Sequence, residues 1–288
     1  MLQAPTPYPY LTATLGVLGD VTLLGVPLDR TGCFRPGSAQ GPHGIRWASD
    51  NLDTYSPVLG RDLVDLRIGD LGDLDFTDLS LSDAVDLIEQ ETGRLMDAGT
   101  LPFLLGGEHT VALGIGRAVL RRHPDAMVLH FDAHTDLRQE YNGERFSHAA
   151  WAYHVGAEFG FSRFVQLGIR SGLREEFDLA RAKCAWISGG LDIPGDILAQ
   201  LSSRPVYLTL DIDVLDPSIV SGTGTPEAGG ATFRELMACL QSLAHLNVVA
   251  MDLNEVAPPL DPSGVSAATA SKLVREMMLL FARPGSRS

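Results

Sequence analysis

Seven short apolar runs, several apolar on both faces, alternate along this chain with amphipathic segments. They are VTLLGVP (21–27), LPFLLGG (101–107), AMVLHFD (126–132), RFVQLGI (163–169), CAWIS (184–188), PVYLTLDID (205–213) and NVVAMDLNE (247–255). LVDLRIGD (63–70) is a less regular eighth. A strand that is apolar on both sides must be covered on both sides, as happens in a parallel sheet between two layers of helices. The intervening segments read as those helices. In 82–98, Ala84, Val85, Leu87, Ile88, Leu95 and Met96 recur at helical spacing, Ser82 can cap the start and Gly99 can end it. Thr232 and Glu235 have capping-box spacing ahead of LMACLQSLAHL, and 266–281 is a further amphipathic helix. The predicted fold is α/β, a doubly wound, mainly parallel sheet of about eight strands with helices on both faces. With no linker and no internal repeat, residues 1–288 are expected to form one domain.

Four of the runs end in acids or histidines: Glu108 and His109, Asp132 onward, Asp211 and Asp213, and Asp252 to Glu255. Doubly wound sheets bind ligands at the carboxyl ends of their strands, so a parallel sheet would gather all four groups on one rim. If the backbone stays extended, alternation sends Asp132, His134 and Asp136 to one side, and Asp211 and Asp213 repeat the pattern. Together with His109 they make two imidazoles and four carboxylates. Buried carboxylates at that density repel unless cations lie among them. A single dication leaves the set over-supplied with ligands, whereas two, bridged by a pair of aspartates and roughly 3.5–4 Å apart, use it fully. Oxygen-rich ligation with some imidazole and no thiolate favours Mn, with Mg, Fe, Co or Zn compatible. His130 is expected to be a satisfied core histidine turned away from the neighbours of Asp132. His43, His123, His154 and His245 read as structural or surface residues.

The net charge of −14 disfavours nucleic acid or an anionic membrane as partner and suits a small cation. Three cysteines without CxxC spacing suggest free thiols in a reducing compartment. No run approaches the ~18 apolar residues of a membrane span, and the first twenty residues lack a basic leader pattern, so a cytoplasmic location is expected.

GVPLDRTGCFRPGSAQGPHGIR (25–46), GGEHT (106–110), HFDAHTD (130–136), DIDVLDP (211–217) with GTGTPEAGG (222–230), and MDLNEVAPPLD (251–261) resemble, in order, the sequence blocks of the ureohydrolases, the arginase and agmatinase family. The resemblance spans nearly the whole chain. It implies a three-layer α/β/α fold, two Mn2+ per chain, and hydrolysis of a guanidino compound to urea and an amine. Carried over by position, one Mn2+ is similar to a site held by His109, Asp132, Asp136 and Asp211. The other resembles a site held by Asp132, His134, Asp211 and Asp213, with Asp132 and Asp211 bridging. His148, in RFSHAA, matches the family's proton shuttle, and Glu255 the acid that pairs with the substrate guanidinium. Asp136 is also placed to orient the nucleophile. The family resemblance further implies a trimer or hexamer.

The chemistry is consistent with those assignments. A guanidinium is a resonance-stabilised cation and a poor electrophile, and divalent cations supply a strong oxygen nucleophile from water near neutral pH. A carboxylate suits the planar N–H fork, and a histidine titrates in the range needed to protonate a departing amine. The N-terminal block and GTGTPEAGG are more agmatinase-like than arginase-like. Agmatine, cleaved to putrescine and urea, is therefore the expected substrate, with guanidinobutyrate, aminopropylagmatine and arginine as alternatives. Glu140, Glu144 or Glu227 would attract a second cationic end, whereas Arg138 and Arg145 would hold a carboxylate. Two readings from other classes are a zinc-dependent deacetylase-like amidohydrolase and an inactive paralogue serving as a scaffold. The absence of a His-His pair opposes the first, and the complete ligand set opposes the second.

Overall fold

The computed structural model describes residues 8–285. Its strands are β1 (Thr14–Leu15), β2 (Val21–Val26), β3 (Tyr55–Ser56), β4 (Arg61–Asp62), β5 (Ile68–Asp73), β6 (Leu101–Gly106), β7 (Met127–Phe131), β8 (Phe164–Leu167), β9 (Trp186–Ser188), β10 (Pro205–Asp211) and β11 (Asn247–Asn254). Its α-helices are α1 (Gly41–Ser49), α2 (Leu81–Asp97), α3 (Val111–Arg122), α4 (Trp151–Phe159), α5 (Arg174–Lys183), α6 (Gly195–Ser202), α7 (Phe233–Ser242) and α8 (Val265–Phe281). Nine strands form one sheet in the order β1-β5-β2-β6-β11-β10-β7-β8-β9, and every pairing in it is parallel. Strands β3 and β4 make a separate antiparallel hairpin.

Neighbouring residues of the same strand enter different cores. Leu23, Phe103, Leu105, Leu129 and Leu208 pack with α1, α6, α7 and α8 on one face. Leu24, Leu104, Val128 and Tyr207 pack with α2, α3, α4 and α5 on the other. This alternation, with nearly complete burial of β2, β7 and β10, is the physical signature of a sheet covered on both sides. The architecture is three-layer α/β/α. Among the described residues no helix is long and apolar enough to cross a membrane.

Thr232 accepts from Glu235 N and is reciprocated by the Glu235 side chain, so α7 starts with the expected capping box. The start of α2 differs from expectation. Ser80, not Ser82, is the cap, because its Oγ accepts Asp83 N at 3.1 Å, while Ser82 already lies in the first turn. The sheet also has one strand more than expected. The two-residue β1 is too short to carry a periodic pattern, and the irregular eighth run divides into a one-turn 3-10 helix (Leu63–Asp65) and β5.

Candidate active site

Strands β6, β11, β10 and β7 are consecutive in the sheet, and the chain leaves each of them carrying a chemical group: His109, Glu255, Asp211 and Asp132. Neighbouring strands lie about 4.8 Å apart, so four adjacent carboxyl ends span a width that side chains can bridge. Gly107 lets this rim close, because a Cβ there would lie 1.9 Å from the Leu28 carbonyl oxygen. Its own carbonyl accepts Glu255 N at 2.8 Å.

The acids converge as expected, but not through an extended backbone. An extended 132–136 segment would separate its ends by roughly 13 Å at about 3.3 Å per residue, too far to share a centre. Instead β7 ends at Phe131, and Asp132 Oδ1 accepts His134 N at 2.6 Å. Asp136 then takes φ 51°, a left-handed conformation. Asp213 likewise lies in a 3-10 turn, where its N–H donates to Asp211 Oδ1 at 2.9 Å. Such side-chain-to-backbone turns are a habit of aspartate.

His109 Nδ1 lies 2.9 Å from Asp132 Oδ2, 3.3 Å from Asp136 Oδ2 and 3.3 Å from Asp211 Oδ2. It is not aligned for a hydrogen bond with any one of them. On the opposite side, His134 Nδ1 lies 3.0 Å from Asp213 Oδ2 and 3.5 Å from Asp132 Oδ1. Two potential ligand groups therefore meet at Asp132: His109, His130, Asp132 and Asp136 in one, and Asp132, His134 and Asp213 in the other. Two buried atoms without hydrogen-bond partners, His109 Nδ1 and Asp213 Oδ2, fall one in each group. Buried polar atoms are rarely left without partners, and this donor set of carboxylate and imidazole fits a pair of hard or borderline dications.

The electrostatics of the protein alone show the same need. Burial raises Asp211 well above the carboxylate range, and the charges of Asp213 and Asp132 push it further. Asp213 is raised by burial and by Asp132. Burial works against charge on Asp132, yet contacts with His109, His130 and His134 hold it well below that range. His109 is held well above the usual imidazole value, despite burial, by Asp132, Asp136 and Asp211. His134 is pushed up to about 12, against burial, by Asp213 and Asp132.

His130 is a correction. It is buried and satisfied, with Nδ1 3.0 Å from Gln166 Nε2, but Nε2 lies 2.8 Å from Asp132 Oδ2. Positions 130 and 132 share strand parity, so their side chains share a face. Behind His109, Nε2 lies 2.9 Å from Thr209 Oγ1, which donates to Asp252 Oδ1 at 2.7 Å. Asp252 also accepts from Tyr207 and Asn254, which places it beneath the rim rather than on it. Trp151 Nε1 donates to Asp136 Oδ2 at 2.8 Å. Sequence reading missed Trp151 and Thr209, since an indole and a hydroxyl in apolar runs look like core.

Glu255 is buried with φ 62° and accepts His109 N through Oε1 at 2.8 Å. Burial, and then the nearby Glu108, raise its carboxyl well above the ordinary value. A cavity of about 180 Å3 is lined by His109, His134, Asp136, His148, Asp211 and Glu255. Arg138, Tyr141 and Glu176 also line it, whereas Glu140, Glu144, Glu227 and Arg145 do not. Glu176 takes Arg138 Nε at 2.9 Å and Thr135 Oγ1 at 2.6 Å. It escaped sequence reading because an acid in a helix's first turn usually serves the helix dipole. Of the remaining histidines, His154 is nearly buried and contacts the carbonyls of Gln139 and Arg145, while His245 is exposed beside Ser202. His43 is exposed, and His123 caps α3.

A cleft at the carboxyl ends of a parallel sheet, floored by clustered carboxylates and imidazoles, has the donor set of a metal-centre enzyme. The model of the Arginase family matches residues 19–280, and the chain belongs to that family. Its members are ureohydrolases, binuclear-metal hydrolases of guanidino compounds. The chain is 42% identical to an agmatinase of Bacillus subtilis over 92% of both sequences. It is 33% identical to a guanidinobutyrase of Pseudomonas aeruginosa over 91% of this chain and 86% of that one. The crystal structure of a candidate agmatinase from Clostridium difficile superposes with a TM-score of 0.87 at 38% identity, covering 92% of this chain and 98% of that one.

Proposed function

We propose that this protein hydrolyses agmatine to putrescine and urea with two Mn2+ held by His109, Asp132, His134, Asp136, Asp211 and Asp213, with Asp132 and Asp211 shared between the ions. The observation that carries this reading is the pair of ligand groups meeting at Asp132 on the floor of a small cavity that also contains Glu255 and His148. When bound, the two cations lower the pKa of water and so supply a hydroxide-strength nucleophile at neutral pH. The protein's own residues do the rest. Glu255, fixed by the His109 amide, accepts N–H bonds from the guanidinium and turns its carbon toward the centre. Asp136 has one oxygen fixed by Trp151, which leaves the other to orient the attacking oxygen. Attack forms a C–O bond, and collapse breaks the C–N bond to the amine. His148 delivers the proton the amine needs to depart.

The cavity is smaller than the roughly 300–1,000 Å3 of drug-sized pockets, as suits a short linear substrate. A second reading, a guanidino acid as substrate, is favoured by Arg138. Its Nε is tied to Glu176, and its terminal nitrogens have no hydrogen-bond partner among the described residues, so they can meet a carboxylate at the cavity wall. Urea release from agmatine, 4-guanidinobutyrate, aminopropylagmatine and arginine by Mn-loaded protein decides between them. Release from 4-guanidinobutyrate but not agmatine would establish the second reading, and release from none would end both. The three free cysteines accord with a cytoplasmic setting, and a trimer or hexamer in sedimentation is the expected assembly.

A further inference from the structure

The loop that precedes α1 lines the cavity with Cys33 and meets His148 through Thr31, and a buried acid holds it there. Glu108 Oε2 accepts the backbone N–H groups of Arg30 at 2.9 Å, Thr31 at 2.6 Å and Gly32 at 3.1 Å. Three consecutive amides on one carboxylate oxygen fix the path of the loop. On that fixed loop Thr31 Oγ1 meets His148 twice. It accepts the backbone N–H of His148 at 3.0 Å and lies 3.0 Å from the ring Nδ1. Among the described residues its one other neighbour in hydrogen-bond range is Thr110 Oγ1, at 3.3 Å.

We propose that Thr31 is the positioning residue for His148, holding its imidazole in the tautomer that carries the proton on Nδ1 and presents Nε2 to the substrate. This rests on the reading of His148 as the proton carrier. A hydroxyl has two lone pairs and one proton. In this arrangement His148 takes both lone pairs, one through its amide and one through Nδ1–H, and the hydroxyl proton turns to Thr110. The imidazolium requires it, because both ring nitrogens then donate, and the neutral ring that keeps it is the one with its proton on Nδ1. With Nδ1–H held, Nε2 is bare in the neutral ring and protonated in the cation, so the proton enters and leaves at the nitrogen left free for the cavity. Thr31 accepts Nδ1–H in both states, and no hydrogen bond is broken during the cycle. Glu108, next to His109 in the chain, sets the geometry through the loop.

The test compares five Mn-loaded proteins under the substrate that gives urea: parent, Thr31→Val, Thr31→Ser, His148→Gln and the Thr31→Val/His148→Gln double variant. Valine keeps the shape and removes the acceptor. Thr31→Val is expected to lower kcat roughly ten-fold with KM within about two-fold, a fraction of the 10²–10⁴ available to acid–base catalysis. Thr31→Ser should recover kcat to within about two-fold of the parent. In the His148→Gln background, Thr31→Val should change kcat by less than about two-fold. Full kcat in Thr31→Val beside a slow His148→Gln would overturn the positioning role, as would an equal loss in both backgrounds. Full kcat in His148→Gln would instead sink the proton-carrier reading and the present inference with it. A thermal melt of each variant separates these outcomes from misfolding, and if Thr31→Val fails to fold, Thr31→Ala is measured in its place.

Discussion

Loading the metal-free protein with Mn2+ at neutral pH is expected to release two to three protons per chain, and the structure supplies the count. His134 is pushed up to about 12 by Asp213 and Asp132 against the effect of burial, so it enters the titration protonated. His109 does too, held well above its usual value by three carboxylates although burial opposes the charge. Asp211, raised well above the carboxylate range first by burial and then by Asp213 and Asp132, contributes the third proton or part of it. Asp132 contributes none, because its histidine contacts hold it well below that range despite burial. Metal ligation requires neutral imidazole and ionised carboxylate, so these protons must leave as the ions enter. The sign follows: affinity rises with pH. Each proton released adds one decade of affinity per pH unit, so two to three protons give roughly 100- to 1,000-fold between pH 6.5 and 7.5. Calorimetric titration in two buffers of different protonation enthalpy reads the proton number directly. Fewer than one proton released, or an affinity flat across that interval, would refute the assignment of both imidazoles to the ions.

The other predictions concern single side chains. Asp132→Asn, which removes the carboxylate common to both ligand groups, should cut Mn2+ affinity at least about 100-fold, some 2.7 kcal/mol, and abolish turnover while leaving a folded protein; metal analysis after gel filtration and the urea assay check this. Normal occupancy and rate would remove Asp132 from the bridging position. Glu255→Gln should lower kcat/KM about 100- to 1,000-fold through loss of the charged partner of the guanidinium, with metal content unchanged. Ser80→Ala should destabilise the protein by about 1 kcal/mol, read as a melting shift of about 2 °C, whereas Ser82→Ala should be nearly silent because only Ser80 makes the cap hydrogen bond.

Much of this organisation could be read from residues alone, for a physical reason. Short doubly apolar runs fit covered strands, and acids at their ends fit a rim where ligands gather. What could not be read was the local path. Strand parity pairs His130 with Asp132, against the expectation that His130 turns away, and it stops applying at Phe131, where β7 ends. The convergence of the acids comes from aspartate-capped turns, which periodicity does not encode. Glu176 on α5 and Trp151 on α4 reach the site from helices whose sequences read as ordinary amphipathic surface and core. Their roles arise from tertiary neighbours, 38 and 15 residues away along the chain, with no local signature.

The left-handed residues connect fold and chemistry. Asp136 and Glu255 are non-glycine residues with φ 51° and 62°, a conformation that costs about 1–3 kcal/mol each. Each follows a central strand of the rim, β7 and β11, and each flanks His109, Asp136 at its ring and Glu255 at its backbone amide. A chain leaving a strand in extended form would carry its acids out past the rim; a single left-handed residue turns the path so that the carboxylate stays above the sheet. The bonds from the Trp151 indole and the His109 amide offset that strain, since hydrogen bonds to a carboxylate are worth about 1.5–3 kcal/mol. The same two contacts thus hold the backbone and aim the acids. Trp151→Phe would therefore loosen Asp136 from its conformation as well as from its partner, and the centre would lose order on the Asp136 side while Asp213 and His134 keep theirs.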